Sequence, residues 1–354
     1  MTSFAENLQA ARKMRGLSLQ GLADRVGNIS KQALNKYELG TMKPEGTMLN
    51  LLAQALEVSP DYFFRSARLE LGPVEFRKKA KLTAKETDSI KEKIRDYLER
   101  YIEVEDMLGI AHQFHSPFTG EDGKASKRRV ISYQQVEDAA SATLKHWRLG
   151  INPIPNVVET LEENGVCVLV LETSSSFNGL ATHVSNLPVI VLNETDTPER
   201  RRFTALHELG HLVLSITAAD DKETESFCHR FASAMLLPQE VVWREFGHTR
   251  KRISDYELIA VKNQYGISAQ AIMRRLYDLN VINQSYYRHF FIKMAANRME
   301  KGFGKFQGER KKSYRFEQLI HRLFAEDLVS DAKAANLAGI TLRAFRSQST
   351  PDDE

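Results

Sequence analysis

The segment FTALHELGHLVL, residues 203–214, sets His207, Glu208 and His211 in an H-E-x-x-H arrangement. On a helix, residues four apart share a face, so both imidazoles reach one metal ion while Glu208 sits one position past the first histidine. Zinc held by neutral histidine nitrogens lowers the pKa of a bound water toward ~7, and a neighbouring carboxylate then takes its proton. A catalytic zinc also needs a third protein ligand and an open position. The segment ETESFCHRFASAMLLP, residues 223–238, offers Glu223, Glu225 and His229. Glu225 and His229 share a face with Cys228 and Ala232, and that face must turn toward the His207 helix to bury Met235 and Leu236. The expected metal set is therefore Zn2+ on His207, His211 and Glu225, with Glu208 as the catalytic general base. His229 is expected behind a ligand or facing substrate, and Glu223 points elsewhere. His183 and His229 are the candidates for stabilising a transition state. An amphipathic helix meets this spacing by chance on occasion, but the apolar flanks, small Gly210 and the acidic helix that follows favour a metal site.

A second constellation lies near the N-terminus. Residues 18–40, SLQGLADRVGNISKQALNKYELG, read as helix Leu19 to Val26, a turn at Gly27, and helix Lys31 to Tyr37. Leu22, Ala23, Val26, Ile29, Leu34 and Tyr37 form a shared core, which leaves Ser30, Lys31, Gln32, Asn35 and Lys36 outward. Gln and Asn bond adenine in bidentate fashion, and lysines contact phosphate or guanine, so this face suits a double-stranded DNA operator. A small helical interaction domain with a solvated polar face has the same pattern.

These residues need elements to hold them. Residues 4–66 read as five short helices, with Ser18, Ser30, Thr47 and Ser59 as N-caps and turns at Gly16, Gly27, Gly40 and Pro44. A long helix from Glu75 through Ile110, with charges alternating along it, reads as a solvated connector. FTGEDGKASKRRV, 118–130, lacks periodicity and reads as a linker with a domain boundary. Helices follow from Tyr133 to Gly150 and from Pro155 to Asn164. The apolar runs 166–172 and 188–193 bracket the polar SSSFNGL and suit a small antiparallel sheet. Residues 253–285 and 316–347 are helical again. Within them, 254–282 has a helix-turn-helix-like pattern around Gly266 and Ser268, expected to pack on the metal helix, and 323–345 repeats the pattern around Ser330 and Gly339. The expected fold class is multidomain: an all-α helix-turn-helix domain (1–66), a helical connector and linker (67–130), an α+β zincin-like metallopeptidase domain (131–285) and a mainly helical C-terminal region (286–354).

The chain of 354 residues has room for such an arrangement. No run approaches the ~20 apolar residues that cross a bilayer, and the first residues lack the apolar run of a signal peptide, so no membrane association and a cytoplasmic location are expected. The two cysteines, Cys167 and Cys228, each lie in an apolar-patterned segment, which reads as core positions in a reducing compartment. A net charge of +3 excludes little, but basic residues gather at Arg12, Lys13 and Arg15, at 124–129 and at 293–315, each a phosphate-facing or merely solvated surface.

F-T-x-x-H-E-L-G-H-L followed by E-x-x-C-H-R-F-A-x-x-x-L-L-P resembles the ImmA/IrrE metallopeptidase family over roughly Tyr133 to Val242. The resemblance implies a zinc-dependent, thermolysin-like core, with the metal on His207, His211 and Glu225 and the general base at Glu208. Family members often carry A-N where this chain has Cys228-His229. L-x-x-L-A-D-R-V-x-x-I-S-K-Q-A-L-N-K-Y-E-x-G-x-x-x-P is similar to the phage-repressor-like (XRE) helix-turn-helix family over residues 4–64, which implies sequence-specific binding as a homodimer on a palindromic operator. V-E-F-R-K-K-A-K-L-T further downstream looks like regulators that fuse the two domains. Three functions stay open: an autoregulating DNA-binding regulator that cleaves or binds a protein partner, an antitoxin that neutralises a cognate toxin without proteolysis, and a protease that cleaves a separate repressor. A protein partner is expected to dock on the metal domain and C-terminal region, using the aromatic and basic stretch from Phe290 to Phe316.

Overall fold

The computed structural model describes residues 4–65, 69, 71, 82–111, 113–120, 124–184, 187–297, 303, 306, 308 and 314–349. The chain divides into two compact units, one formed by Met1–His112 with Tyr314–Glu354 and the other by Gln113–Ser313.

The first unit begins with helices α1 (Phe4–Met14), α2 (Leu19–Val26), α3 (Lys31–Glu38) and α4 (Gly46–Leu56), then a 3-10 turn at Pro60–Phe64. Ser18 accepts from the Gly21 amide and Ser30 from the Ala33 amide, so each serine satisfies a free N–H of its helix. Thr47 does not cap α4, which starts at Gly46 after Glu45, and Ser59 precedes only the 3-10 turn. Leu8, Leu22, Leu34, Leu52, Leu56 and Phe63 fill the core, with Val26 and Ile29 partly buried against it. The basic cluster at the N-terminus works inside this unit. Arg12 forms a two-point bond to the Glu38 carboxylate at 2.6 and 2.8 Å, and Arg15 donates to the Leu56 and Glu57 carbonyls.

Helix α5 (Ala84–Met107) opens with a capping box between Thr83 and Glu86. The described helix is shorter than expected: it begins after the Thr83 cap and ends at Met107, and 75–81 of the expected span lie outside the described residues. Nor is it solvated all round: Ile90, Ile94, Leu98, Tyr101 and Val104 form a buried stripe. Alternating charges hid this stripe, since they mark only the exposed face.

The second unit contains β1 (Arg128–Val130), α6 (Tyr133–His146), α7 (Val157–Glu163), β2 (Cys167–Leu171), β3 (Gly179–Val184) and β4 (Leu187–Asn193). It continues through α8 (Pro198–Val213), β5 (Leu214–Ile216), α9 (Asp221–Leu236), α10 (Gln239–Phe246), α11 (Asp255–Tyr265), α12 (Ala269–Asp278) and α13 (Gln284–Asn297). The two apolar runs pair as expected, but in parallel: β2 lies beside β4, and β3 closes the far edge antiparallel to β4. Burial on both faces is what parallel strands require, and every residue of β4 is buried. The second half of the polar bracket supplies the start of β3. The presumed linker 118–130 contributes β1, which pairs in parallel with β5 immediately after α8. Helices α11 and α12 contribute Leu258, Val261, Ile272, Met273 and Leu276 to the core of this unit.

The chain then returns to the first unit with α14 (Arg315–Ala325), α15 (Asp331–Ala338) and α16 (Leu342–Ser349). Phe316 packs on Tyr97 and Tyr101 of α5, with ring centroids 4.9 and 5.6 Å apart. Asn336 of α15 donates to the Ser59 hydroxyl at 2.7 Å and accepts from Arg65 at 3.1 Å. Phe316 is thus engaged within the first unit, whereas Tyr314 beside it is exposed. Phe290 and Phe303 are buried in the second unit, where Arg202 lies 5.2 Å from the Phe306 ring centre.

Candidate metal centre

Helix α8 starts at Thr197, whose hydroxyl accepts from the Arg200 amide, with Pro198 at the first helical position where no N–H is needed. Apolar Ala205, Leu206, Leu209, Leu212 and Val213 bury it against the sheet and α9. The antiparallel edge strand β3 runs close enough that a Cβ on Gly179 would sit 2.5 Å from Thr204 Cγ2 and 3.2 Å from Glu208 Oε1. Only glycine fits there without displacing the helix. Helix α9 starts at Asp220, which accepts from the Glu223 amide, and Glu223 in turn accepts from the Ala219 amide. Glu223 thus closes the helix start, away from the histidines.

Facing each other across α8 and α9 are His207, His211 and Glu225. The two Nε2 atoms are 3.2 Å apart. Glu225 Oε2 lies 3.3 Å from His207 Nε2, and Oε1 lies 3.6 Å from His211 Nε2. A tetrahedral ion bound at the ~2.0–2.1 Å typical of zinc and histidine nitrogen would hold its donor atoms about 3.3–3.4 Å apart. The two imidazole nitrogens, each facing one oxygen of the Glu225 carboxylate, are therefore spaced as ligands of one such ion, and two neutral imidazoles with one carboxylate are a donor set that zinc accepts. All three side chains are largely buried, which limits competition from bulk water.

Glu208 is buried at 5% exposure and sits beneath the start of β3. His229 is exposed, and its ring centre lies 4.5 Å from that of His207 and 5.8 Å from that of Phe203. One of its ring nitrogens lies within 4.8 Å of a donor atom of His207 and of Glu225, so His229 is also near enough to join those two around a metal ion. His183 lies on β3 with an exposed side chain, and partial burial followed by the nearby Lys127 charge holds its pKa below the ordinary histidine value. Lys127 donates to the His211 carbonyl at 2.8 Å, so β1 and the end of α8 share this corner.

One contact was not foreseen. Cys228 Sγ lies 3.0 Å from His211 Nδ1, on the side of the ring away from Glu225. Its place three residues after Glu225, on the same helix face, was the available signal. By contrast, His207 Nδ1 is buried without a hydrogen-bond partner among the described residues.

In the other unit, the side chains of Ser30, Lys31, Gln32, Asn35 and Lys36 are all exposed on or before α3, whereas Leu34 and Tyr37 are buried. The Ser30 hydroxyl is already engaged as the N-cap of α3.

Comparison with known proteins divides the chain in the same way. Residues 8–63 match the helix-turn-helix family, and residues 164–277 match the peptidase family described as the IrrE N-terminal-like domain. The second match runs through α11 and α12, so the helix-turn-helix-like segment there is part of that domain. Two curated relatives from Bacillus subtilis (strain 168) each align with less than a fifth of the chain. The uncharacterized HTH-type transcriptional regulator YqaE is 39% identical over 62 residues, which are 18% of this chain and 53% of the relative. The SPbeta prophage-derived uncharacterized HTH-type transcriptional regulator YonR is 34% identical over 67 residues, 19% of this chain and 61% of the relative. The chain thus spans between half and two thirds of the length of these relatives. It combines a helix-turn-helix domain with an IrrE-like peptidase domain, and no helix among the described residues is long and apolar enough to cross a membrane.

Proposed function

We propose that this chain is a DNA-binding transcriptional regulator whose IrrE-like unit is a zinc-dependent peptidase acting on a protein partner. The observation that carries the enzymatic half is the convergence of His207, His211 and Glu225 donors to 3.2–3.6 Å of one another. Zinc, when bound, supplies a Lewis acid that acidifies water toward neutrality and polarises a carbonyl. Glu208 takes a proton from the attacking water and passes it to the leaving amide nitrogen, a role for which burial beneath β3 holds it in one place. His229, exposed beside His207, is the group best set to donate to the developing oxyanion, with His183 more peripheral on β3. The regulatory half rests on the helix-turn-helix match and the exposed polar face of α3, where Gln32 and Asn35 read bases and Lys31 and Lys36 meet phosphate.

The test compares host cells carrying the wild-type chain and Glu208→Gln. New protein N-termini present only with wild type, equal zinc in both purified proteins, and equal protection of the chain's own promoter are the expected results. Identical N-termini in both strains would remove the peptidase reading, and no promoter preference over random DNA would remove the regulatory one.

A further inference from the structure

We infer that Cys228 is a positioning residue for the metal centre: its thiol fixes the ring orientation of His211. The role presupposes that His207, His211 and Glu225 hold zinc. A histidine that ligates through Nε2 is neutral and carries its proton on Nδ1, and whatever accepts from Nδ1–H sets the ring plane. In this chain Nε2 of His211 faces His207 and Glu225, while Nδ1 faces Cys228 Sγ at 3.0 Å.

Carboxylates and backbone carbonyls usually occupy this position behind a ligating histidine. A thiol differs from both because sulfur is a weak donor as well as a weak acceptor. With zinc on Nε2, Nδ1–H donates to Sγ. With Nε2 protonated, Nδ1 accepts from S–H. The same side chain therefore supports the ring in both tautomers without moving.

The geometry around the sulfur favours this assignment. Cys228 is fully buried at the crossing of α8 and α9, where the absent side chain of Gly210 leaves the helices close: a Cβ on Gly210 would lie 3.5 Å from both Cα and Cβ of Cys228. Glu225 sits one turn earlier on the same helix. One face of α9 thus supplies both a ligand and the brace of another ligand. Among the described residues no hydrogen bond reaches the buried Nδ1 of His207.

The experiment uses the full chain with two pairs of variants, Cys228→Ala with Cys228→Ser and Cys228→Val with Cys228→Thr. Val and Thr have the same shape and differ in a hydroxyl, so the second pair separates polarity from packing even if the alanine cavity harms folding. Zinc affinity is read by competition with a fluorescent chelator, and the hydrogen bond on His211 Nδ1–H by imidazole nitrogen NMR of the zinc-loaded protein. Ala and Val are expected to bind zinc about 10–100-fold more weakly than wild type and to lose the hydrogen-bond shift of the His211 Nδ1–H, whereas Ser and Thr stay within about threefold. Equal affinity in Val and Thr, or all four variants within about threefold of a zinc-binding wild type, overturns the role of Cys228 alone. A wild-type chain that binds no zinc overturns the metal centre and this role together.

Discussion

Replacing Glu137 by Gln removes the negative charge that two arginines share in the second unit. Glu137, on α6, accepts from both terminal nitrogens of Arg275 on α12, at 2.7 Å for the Nη2–Oε2 pair, and from Arg230 Nε on α9. Arg275 has no exposed surface and also donates to the Leu237 carbonyl at 3.0 Å, while Arg230 reaches Asp278 at 3.3 Å. Glutamine keeps the shape but leaves Arg275 charged, buried and without its carboxylate. Breaking a buried pair from one side costs about 3–5 kcal/mol. In a unit of roughly 200 residues each kcal/mol moves the melting temperature by about 2–4 °C, so the expected loss is about 6–20 °C.

The pH dependence has a definite sign. Burial raises the Glu137 pKa, but the hydrogen bonds and charges of Arg275 and Arg230 outweigh it and hold the carboxyl below its ordinary value. A depressed carboxylate pKa contributes stability above the unfolded-state value, and that stability is lost as pH falls through the folded-state value. The gap between wild type and Glu137→Gln should therefore be full at neutral pH and narrow on acidification below the ordinary carboxylate range. Calorimetry of the zinc-free proteins across this range measures it. A shift under about 2 °C at neutral pH, or a gap that stays constant in acid, would refute the reasoning.

Gly179→Ala should force β3 off Thr204 and Glu208, because its Cβ would stand 2.5 Å from Thr204 Cγ2; thermal unfolding should register a loss of about 1–3 kcal/mol with zinc retained, and an unchanged melting temperature would count against the packing described. Gln32→Ala should lower discrimination between operator sequences by about 1–3 kcal/mol, whereas Lys36→Ala should weaken binding to all sequences and reduce the salt slope by about one, both read by titration of promoter and random duplexes.

The facing of α8 and α9 was legible because the helical period turns spacing into facing: His207 with His211, and Glu225 with His229, had to share faces once the two helices formed. The outward set on α3 followed from the same period, with Leu34 and Tyr37 marking the inner side. Strand order was not legible. The runs in β2 and β4 are apolar throughout, so they identify buried strands but not their direction, and β3 came partly from a segment with turn composition. Aromatic and basic residues from Phe290 to Phe316 have the composition of an interface, yet chain returns on to α5 and the core of the second unit use the same residue types. The contact of Cys228 with His211 depends on how closely two helices cross at Gly210, a distance that no single-chain periodicity encodes.

The most direct test of the metal centre is zinc X-ray absorption on the purified full chain, beside zinc content in the His207→Ala, His211→Ala double variant. One zinc per chain, with two histidine nitrogens and light oxygen scatterers at about 2.0–2.1 Å, and no zinc in the double variant, is the predicted result. Full zinc retention in the double variant, or sulfur scattering at about 2.3 Å that would put a cysteine on the metal, would contradict it.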